Sequence, residues 1–370
     1  MKLFSCTSCS QVVFFENVVC ERCNHALGFE PQSMEMVALT SSDGIWEAAG
    51  SNGGSGGERW KYCANYDHGV CNWLVPGSAS DTFCLACRHN LVVPDLSQPA
   101  NAGLWQRMER AKRRLFYTLL ALGLPLSTRN EMAEGLGFAF LTDDAGSDQH
   151  VMTGHDEGLI TIALIEADDA EREKRRTAMG EPYRTLLGHF RHEVGHWYWD
   201  RLVRDGGITG TSRAVFGNDE VDYETSLQRH YANGPKPNWQ DEYVSSYAGA
   251  HAWEDFAETW AHYFHIVDTL ETGNAWGLSI QPHRDMSGFL SADLSLDVFA
   301  NGTTIEQIAS AWLPLSLSLN SFNRSLGQQD IYPFVLSEKV LRKLGFIHDL
   351  VHGRIGSSRV AMGQMPVAAA

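Results

Sequence analysis

Gly188-His189-Phe190-Arg191-His192-Glu193-Val194-Gly195-His196-Trp197 carries the pattern His-Glu-x-x-His, with His192, Glu193 and His196 in the named places. On a helix, residues four apart stand above one another, so two imidazoles on one face can share a metal ion. Glu193, next to the first histidine, is within reach of a water on that metal and not of the metal itself. That is the place for a general base acting on zinc-activated water. Two histidines on a helix otherwise simply face solvent or pack. The flanking residues favour the metal. Pro182 suits a helix start, and Leu186, Leu187, Phe190, Val194 and Trp197 recur at three- and four-residue steps, the apolar stripe of a docked helix. The run continues through Trp199, Leu202 and Val203 and stops at Asp205-Gly206-Gly207, which predicts a helix of about six turns.

The chain has 370 residues, which implies two or more domains. Apolar residues make up 44%, enough for a real interior. A net charge of −16 and a pI of about 5.3 argue against general affinity for nucleic acid or anionic membrane. Met1-Lys2-Leu3-Phe4 runs into Cys6 without the apolar segment of a secretion signal. The longest apolar run, Leu115 to Leu126, is broken by Gly123 and Pro125 and is too short to span a membrane. The expected location is the cytoplasm.

All eight cysteines precede residue 88. In a chain without a secretion signal, paired Cys-x-x-Cys knuckles point to zinc rather than disulfides. Cys6, Cys9, Cys20 and Cys23 form one expected Cys₄ site. Cys63, Cys71, Cys84 and Cys87 form a second with looser spacing, in which His68 is an alternative ligand. Residues 1–95 carry five Lys/Arg against ten Asp/Glu, the wrong sign for a nucleic-acid footprint. The ribbon is therefore expected to be structural or to contact protein.

Residues 1–95 are read as a zinc-ribbon region with short strands at 11–15 and 91–93, and Gly50 to Gly57 as a surface loop. Residues 96–103 are read as a linker, 104–352 as the catalytic domain and 353–370 as a tail with little reason to be ordered. A helix is expected from Leu104 to Leu122, its basic cluster Arg107, Arg110, Lys112, Arg113 and Arg114 coating a solvated face. Strands are expected at 136–141 and 158–165, the second placed either to pair with extended substrate or to lie buried in a sheet. A helix from Asp168, a polar helix at 218–231 and one from Ala252 to Leu270 follow. Helices at 304–313 and 336–344 are expected to stop at Pro314 and Gly345.

Catalytic zinc usually takes three protein ligands and keeps one open position. An extended motif with glycine at position 199 and histidine at 202 is excluded by Trp199 and Leu202. A second helix offers the alternative: Glu254 and Glu258 lie four apart on one face of Trp253-Glu254-Asp255-Phe256-Ala257-Glu258-Thr259-Trp260-Ala261-His262. One carboxylate can bind zinc while the other orients a ligating histidine. Tyr247, seven residues before Glu254, is placed to donate to a developing oxyanion.

The N-terminal cysteine knuckles, residues 188–196 and residues 253–262 together resemble a bacterial family of zinc-binding metallopeptidases with an N-terminal zinc ribbon, over roughly residues 3 to 350. The Tyr247-to-Glu254 spacing and the Glu-x-Phe-Ala-Glu pattern also resemble the glutamate-zincin site of anthrax lethal factor. That local similarity implies Glu254 as the third ligand, Glu258 behind a histidine and Tyr247 as the oxyanion donor. The expectation is thus an α+β protein with one catalytic and two structural zinc ions, a gluzincin that hydrolyses a peptide or protein. Two rivals stand beside it: hydrolysis of a non-peptide or modified amide, and a ribbon adaptor with weak or no hydrolysis.

Overall fold

The computed structural model describes residues 2–42, 44–49, 58–143 and 151–355. The glycine-rich stretch 50–57 and the tail from 356 onward lie outside the described residues. Contacts divide the chain into two compact units, Met1–Ala121 with Leu126–Lys174, and Leu122–Pro125 with Arg175–Ala370.

The first unit starts with a hairpin of β1 (Phe4–Ser5) and β2 (Val12–Val13), whose ends carry the first cysteine knuckle. An antiparallel meander follows, with strands in sequence order: β3 (Ala26–Glu30), β4 (Glu35–Ser42), β5 (Ile45–Ala48), β6 (Arg59–Tyr62) and β7 (Leu74–Pro76). One side buries Val37, Leu39, Trp60 and Leu74. Phe4, Phe15, Phe29 and Trp73 form an aromatic core, with Phe29 to Phe15 and to Trp73 both 4.8 Å between ring centroids. Beyond β8 (Asn90–Val92), helix α1 runs from Pro99 to Ala121, so residues 99–103 are helical rather than extended linker.

A four-stranded sheet completes the unit, in the order β10 (Gly154–Asp156), β11 (Leu159–Ala163), β9 (Gly137–Leu141) and β8. β11 has partners on both sides, parallel to β9 and antiparallel to β10. Its ladder groups are taken, so of the two readings of this strand the interior one holds. α1 departs from expectation in its charges. Lys112 and Arg113 are buried rather than solvated, because partners from distant segments meet them. Lys112 Nζ lies 2.9 Å from Glu109 and also contacts the Asn90 side chain. Arg113 binds the Asn72 side chain, which in turn donates to the Phe15 carbonyl at 2.7 Å.

The second unit is helical. α2 (Asp169–Met179) straddles the division, and α3 (Leu186–Tyr198) carries the His-Glu-x-x-His pattern. α3 begins four residues after Pro182, at a Thr185 cap whose hydroxyl accepts from the Gly188 N–H at 3.0 Å. Its continuation, Trp199–Arg204, is wound as a π-turn, a wider winding found frequently at functional sites. α4 (Thr209–Phe216) and α5 (Tyr223–Asn233) precede α6 (Ala252–Ala275), which is about 36 Å long and packs against α3, α7 (Ile305–Ser325) and α8 (Glu338–Val351). A two-strand ribbon, β12 (Ser279–Ile280) with β13 (Ala292–Asp293), lies between α6 and α7.

Gly195 explains how closely α3 approaches α6. A Cβ there would stand 3.2 Å from the Ala257 Cα and from two Trp260 side-chain atoms, tighter than a well-packed interior accepts. Arg191 and Asp268 form a buried ion pair at 2.5 Å between the same helices. α7 and α8 run through Pro314 and Gly345 instead of stopping there. Pro314 is buried beside Trp312 and Leu315, and this packing outweighs the backbone bond that proline forfeits. At the start of the expected tail, Arg354 is held, pairing with Asp349 at 3.1 Å and donating to the Thr303 carbonyl at 3.1 Å. Among the described residues no helix is long and apolar enough to cross a membrane.

Candidate metal centres and active site

Each cysteine set gathers into one cluster, all ligand atoms within 4.8 Å of one another. Zinc–sulfur bonds of about 2.3 Å in a tetrahedron place sulfurs about 3.8 Å apart. Cys6–Cys23 and Cys9–Cys20 are both 3.6 Å apart, and Cys71–Cys84 is 3.7 Å, so the spacing fits the ion. The first set hangs on two matching turns, with Ser10 N–H bonded to the Cys6 carbonyl and Asn24 N–H to the Cys20 carbonyl. In the second set all four cysteines are buried. His68 does not enter it and instead packs against Trp105, 5.7 Å between centroids. Cys87 Sγ lies 3.9 Å from Glu109, which is itself paired with Lys112. A cation next to a tetrathiolate cluster offsets its negative charge.

The third cluster joins the two long helices of the second unit. His192 and His196 from α3 meet Glu254 from the first turn of α6. The His192 and His196 Nε2 atoms are 3.1 Å apart, and Glu254 Oε2 is 3.0 Å from the first and 3.5 Å from the second. With bonds of about 2.0–2.1 Å, tetrahedral ligands stand about 3.3–3.4 Å apart. The observed triangle has that size. Glu254 Oε2 is buried and accepts no hydrogen bond, an expensive state for a carboxylate oxygen unless a cation meets it. The nitrogen, nitrogen, oxygen donor set suits zinc.

The surrounding groups orient this triangle. His192 Nδ1 faces Glu258 Oε1 at 2.7 Å, and Ser245 Oγ donates to Glu258 Oε2 at 2.5 Å. A proton on Nδ1 leaves the Nε2 lone pair directed at the cluster. The His196 ring lies against the Trp253 ring with centroids 3.8 Å apart. Tyr223, from α5, donates to Glu254 Oε1 at 2.6 Å. Burial works to raise the Glu254 carboxyl, but His196 and His192 outweigh it and hold it well below the usual carboxylate range.

Glu193 is buried beside His192 and interacts electrostatically with Tyr223 and Tyr247. The Tyr247 ring centroid is 6.0 Å from that of His192. Burial, together with the charge on Glu254, pushes the Tyr247 phenol well above its ordinary value, so it is a proton donor at neutral pH. Tyr223, Ser245 and Trp253 are the residues that sequence reading missed. Trp253 and Ser245 stand within a few residues of Glu254 and Tyr247 and were open to discovery by proximity. Tyr223 sits on a polar helix and gave no such signal.

Residues 101–350 match the family described as "Putative zinc-binding metallo-peptidase", and residues 3–98 match a zinc-ribbon domain. Uncharacterized proteins of Mycobacterium bovis and Mycobacterium tuberculosis are 40% identical over 354 residues, covering 95% of this chain and 95% of theirs. No solved structure matches. The family matches cover both the cysteine clusters and the helices that bring His192, His196 and Glu254 together, and the chain belongs to this zinc-binding metallopeptidase family, with its zinc ribbon at the N-terminus.

Proposed function

We propose that the protein is a gluzincin that hydrolyses peptide bonds, with His192, His196 and Glu254 as ligands of one catalytic zinc and two further zinc ions in the cysteine sites. The observation that carries this reading is the triangle of two Nε2 atoms and one buried, unbonded carboxylate oxygen at tetrahedral spacing. Zinc held by these three residues would supply Lewis-acid chemistry, polarising a carbonyl and acidifying water. Glu193 takes the proton of the attacking water and returns it to the leaving amine. Tyr247 donates to the oxyanion that develops on the carbonyl. Glu258 holds His192 in the ligating tautomer through its 2.7 Å contact with Nδ1. The substrate is a peptide or protein.

The test is incubation with a proteome-derived peptide library, comparing the native chain with Glu193→Gln. An amide cannot act as the base, so cleavage should fall by at least ~100-fold while zinc content stays the same. Equal cleavage by both proteins rejects the mechanism.

A further inference from the structure

Glu254 has two carboxylate oxygens in different surroundings. Oε2 faces the two imidazoles and accepts no hydrogen bond, whereas Oε1 accepts from the Tyr223 hydroxyl at 2.6 Å. We propose that Tyr223 is a positioning residue for the metal site: by holding Oε1 it presents Oε2 alone to the ion, and so enforces one-oxygen binding by Glu254. The inference rests on the reading of Glu254 as a ligand.

Three features beyond that distance support it. First, the Tyr223 ring is itself fixed, edge-on to His251 at 5.3 Å and to Trp253 at 5.5 Å, and Trp253 lies against the ligand His196. Secondly, His251 ties the approach to α5 to the start of α6. Its Nε2 donates to the Val221 carbonyl at 2.9 Å and its Nδ1 accepts from the Trp253 N–H at 3.1 Å. The phenol and the carboxylate it grips are therefore placed by one local framework. Thirdly, α5 contributes little else to the interior. Its buried residue is Ser226, while Tyr223 and His230, seven apart on one face, reach toward Glu254 and Tyr247. A helix this poorly anchored has Tyr223 and His230 directed at the site rather than at a core.

A hydroxyl already engaged with a ligand oxygen is badly placed to serve the reaction as well. Tyr247, whose ring centroid stands 6.0 Å from that of His192, is the donor assigned to the substrate. The two tyrosines thus divide between holding the ligand and meeting the reacting carbonyl.

The experiment is to strip the catalytic metal with a mild chelator, add cobalt(II), and compare the native chain with Tyr223→Phe. The readouts are the visible spectrum of the cobalt site and its cobalt and zinc affinities by competition. Zinc retained in the cysteine sites and an unchanged thermal melt verify folding. Tyr223→Phe should shift the cobalt absorption and weaken binding by about 10–100-fold, the usual effect of losing a group behind a ligand. An unchanged spectrum and affinity overturns the proposal. The same result with slower turnover overturns it too, and makes Tyr223 a transition-state donor. If the native chain binds no cobalt at His192 and His196, the ligand assignment itself has failed, which is a different outcome from a null effect of Tyr223→Phe.

Discussion

On the proposed reading, the cysteine clusters of the first unit and the His192–His196–Glu254 cluster of the second use the same metal chemistry for opposite ends. Each cysteine cluster has four ligands of one kind on short turns, which closes a tetrahedron and excludes water. The second unit supplies three candidate ligands of two kinds from two long helices, which would leave one corner for water and substrate. The supporting residues differ accordingly. Around Cys87 stand Glu109 and Lys112, both fully buried, a fixed charge environment. Around His192 and Glu254 stand Glu258, Ser245, Tyr223 and Tyr247, groups that donate, accept or orient. Closure serves stability, and an open corner needs a shell of oriented neighbours to stay precise.

Variants in the open site should separate by how much metal they lose. Glu254→Ala removes a bond to the ion and should leave this site empty and hydrolysis absent, with zinc still in both cysteine sites. Glu258→Ala only loosens His192 and should weaken zinc binding or activity by about 10–100-fold, so it stays partly loaded and partly active. Zinc dissociation constants for the two proteins decide the order, and an emptier Glu258→Ala protein reverses the roles assigned here. Tyr247→Phe should change zinc affinity least. Its loss falls on turnover, by about 2.7–4 kcal/mol of transition-state stabilisation, read from kcat on any cleaved peptide. A matching loss of metal makes Tyr247 a structural residue instead.

What could be read from the chain follows the range of each interaction. The meeting of His192, His196 and Glu254, with Glu258 against His192, was legible in part because helical spacing puts residues four apart on one face without reference to the rest of the fold. Which of the two glutamates joins the histidines came from the resemblance and not from spacing. The cysteine sets were legible because Cys-x-x-Cys pairs, three positions apart, recur at Cys6/Cys9, Cys20/Cys23 and Cys84/Cys87. The meander β3–β7 was not. Its strands are short or lack alternation, as in Glu35-Met36-Val37-Ala38-Leu39-Thr40-Ser41-Ser42, and owe their pairing to neighbours. Burial of Lys112 and Arg113 depended on Asn90 and Asn72, about twenty and forty residues away in sequence. Pro314 and Gly345 read as stops, but packing against the rest of the unit carried α7 and α8 through them. Tyr223 was invisible for the same reason: α5 is polar, and only the tertiary structure aims this phenol at Glu254.

The difference between closed and open sites is tested most directly by following zinc content and peptide cleavage together under mild chelation. The protein should start with three zinc ions and lose one, from His192, His196 and Glu254, as cleavage disappears, while the cysteine-bound pair remains. Returning one equivalent of zinc should restore cleavage. Cleavage that persists after that ion has gone, or an ion that leaves from the cysteine sites first, would contradict the division of labour between the two units.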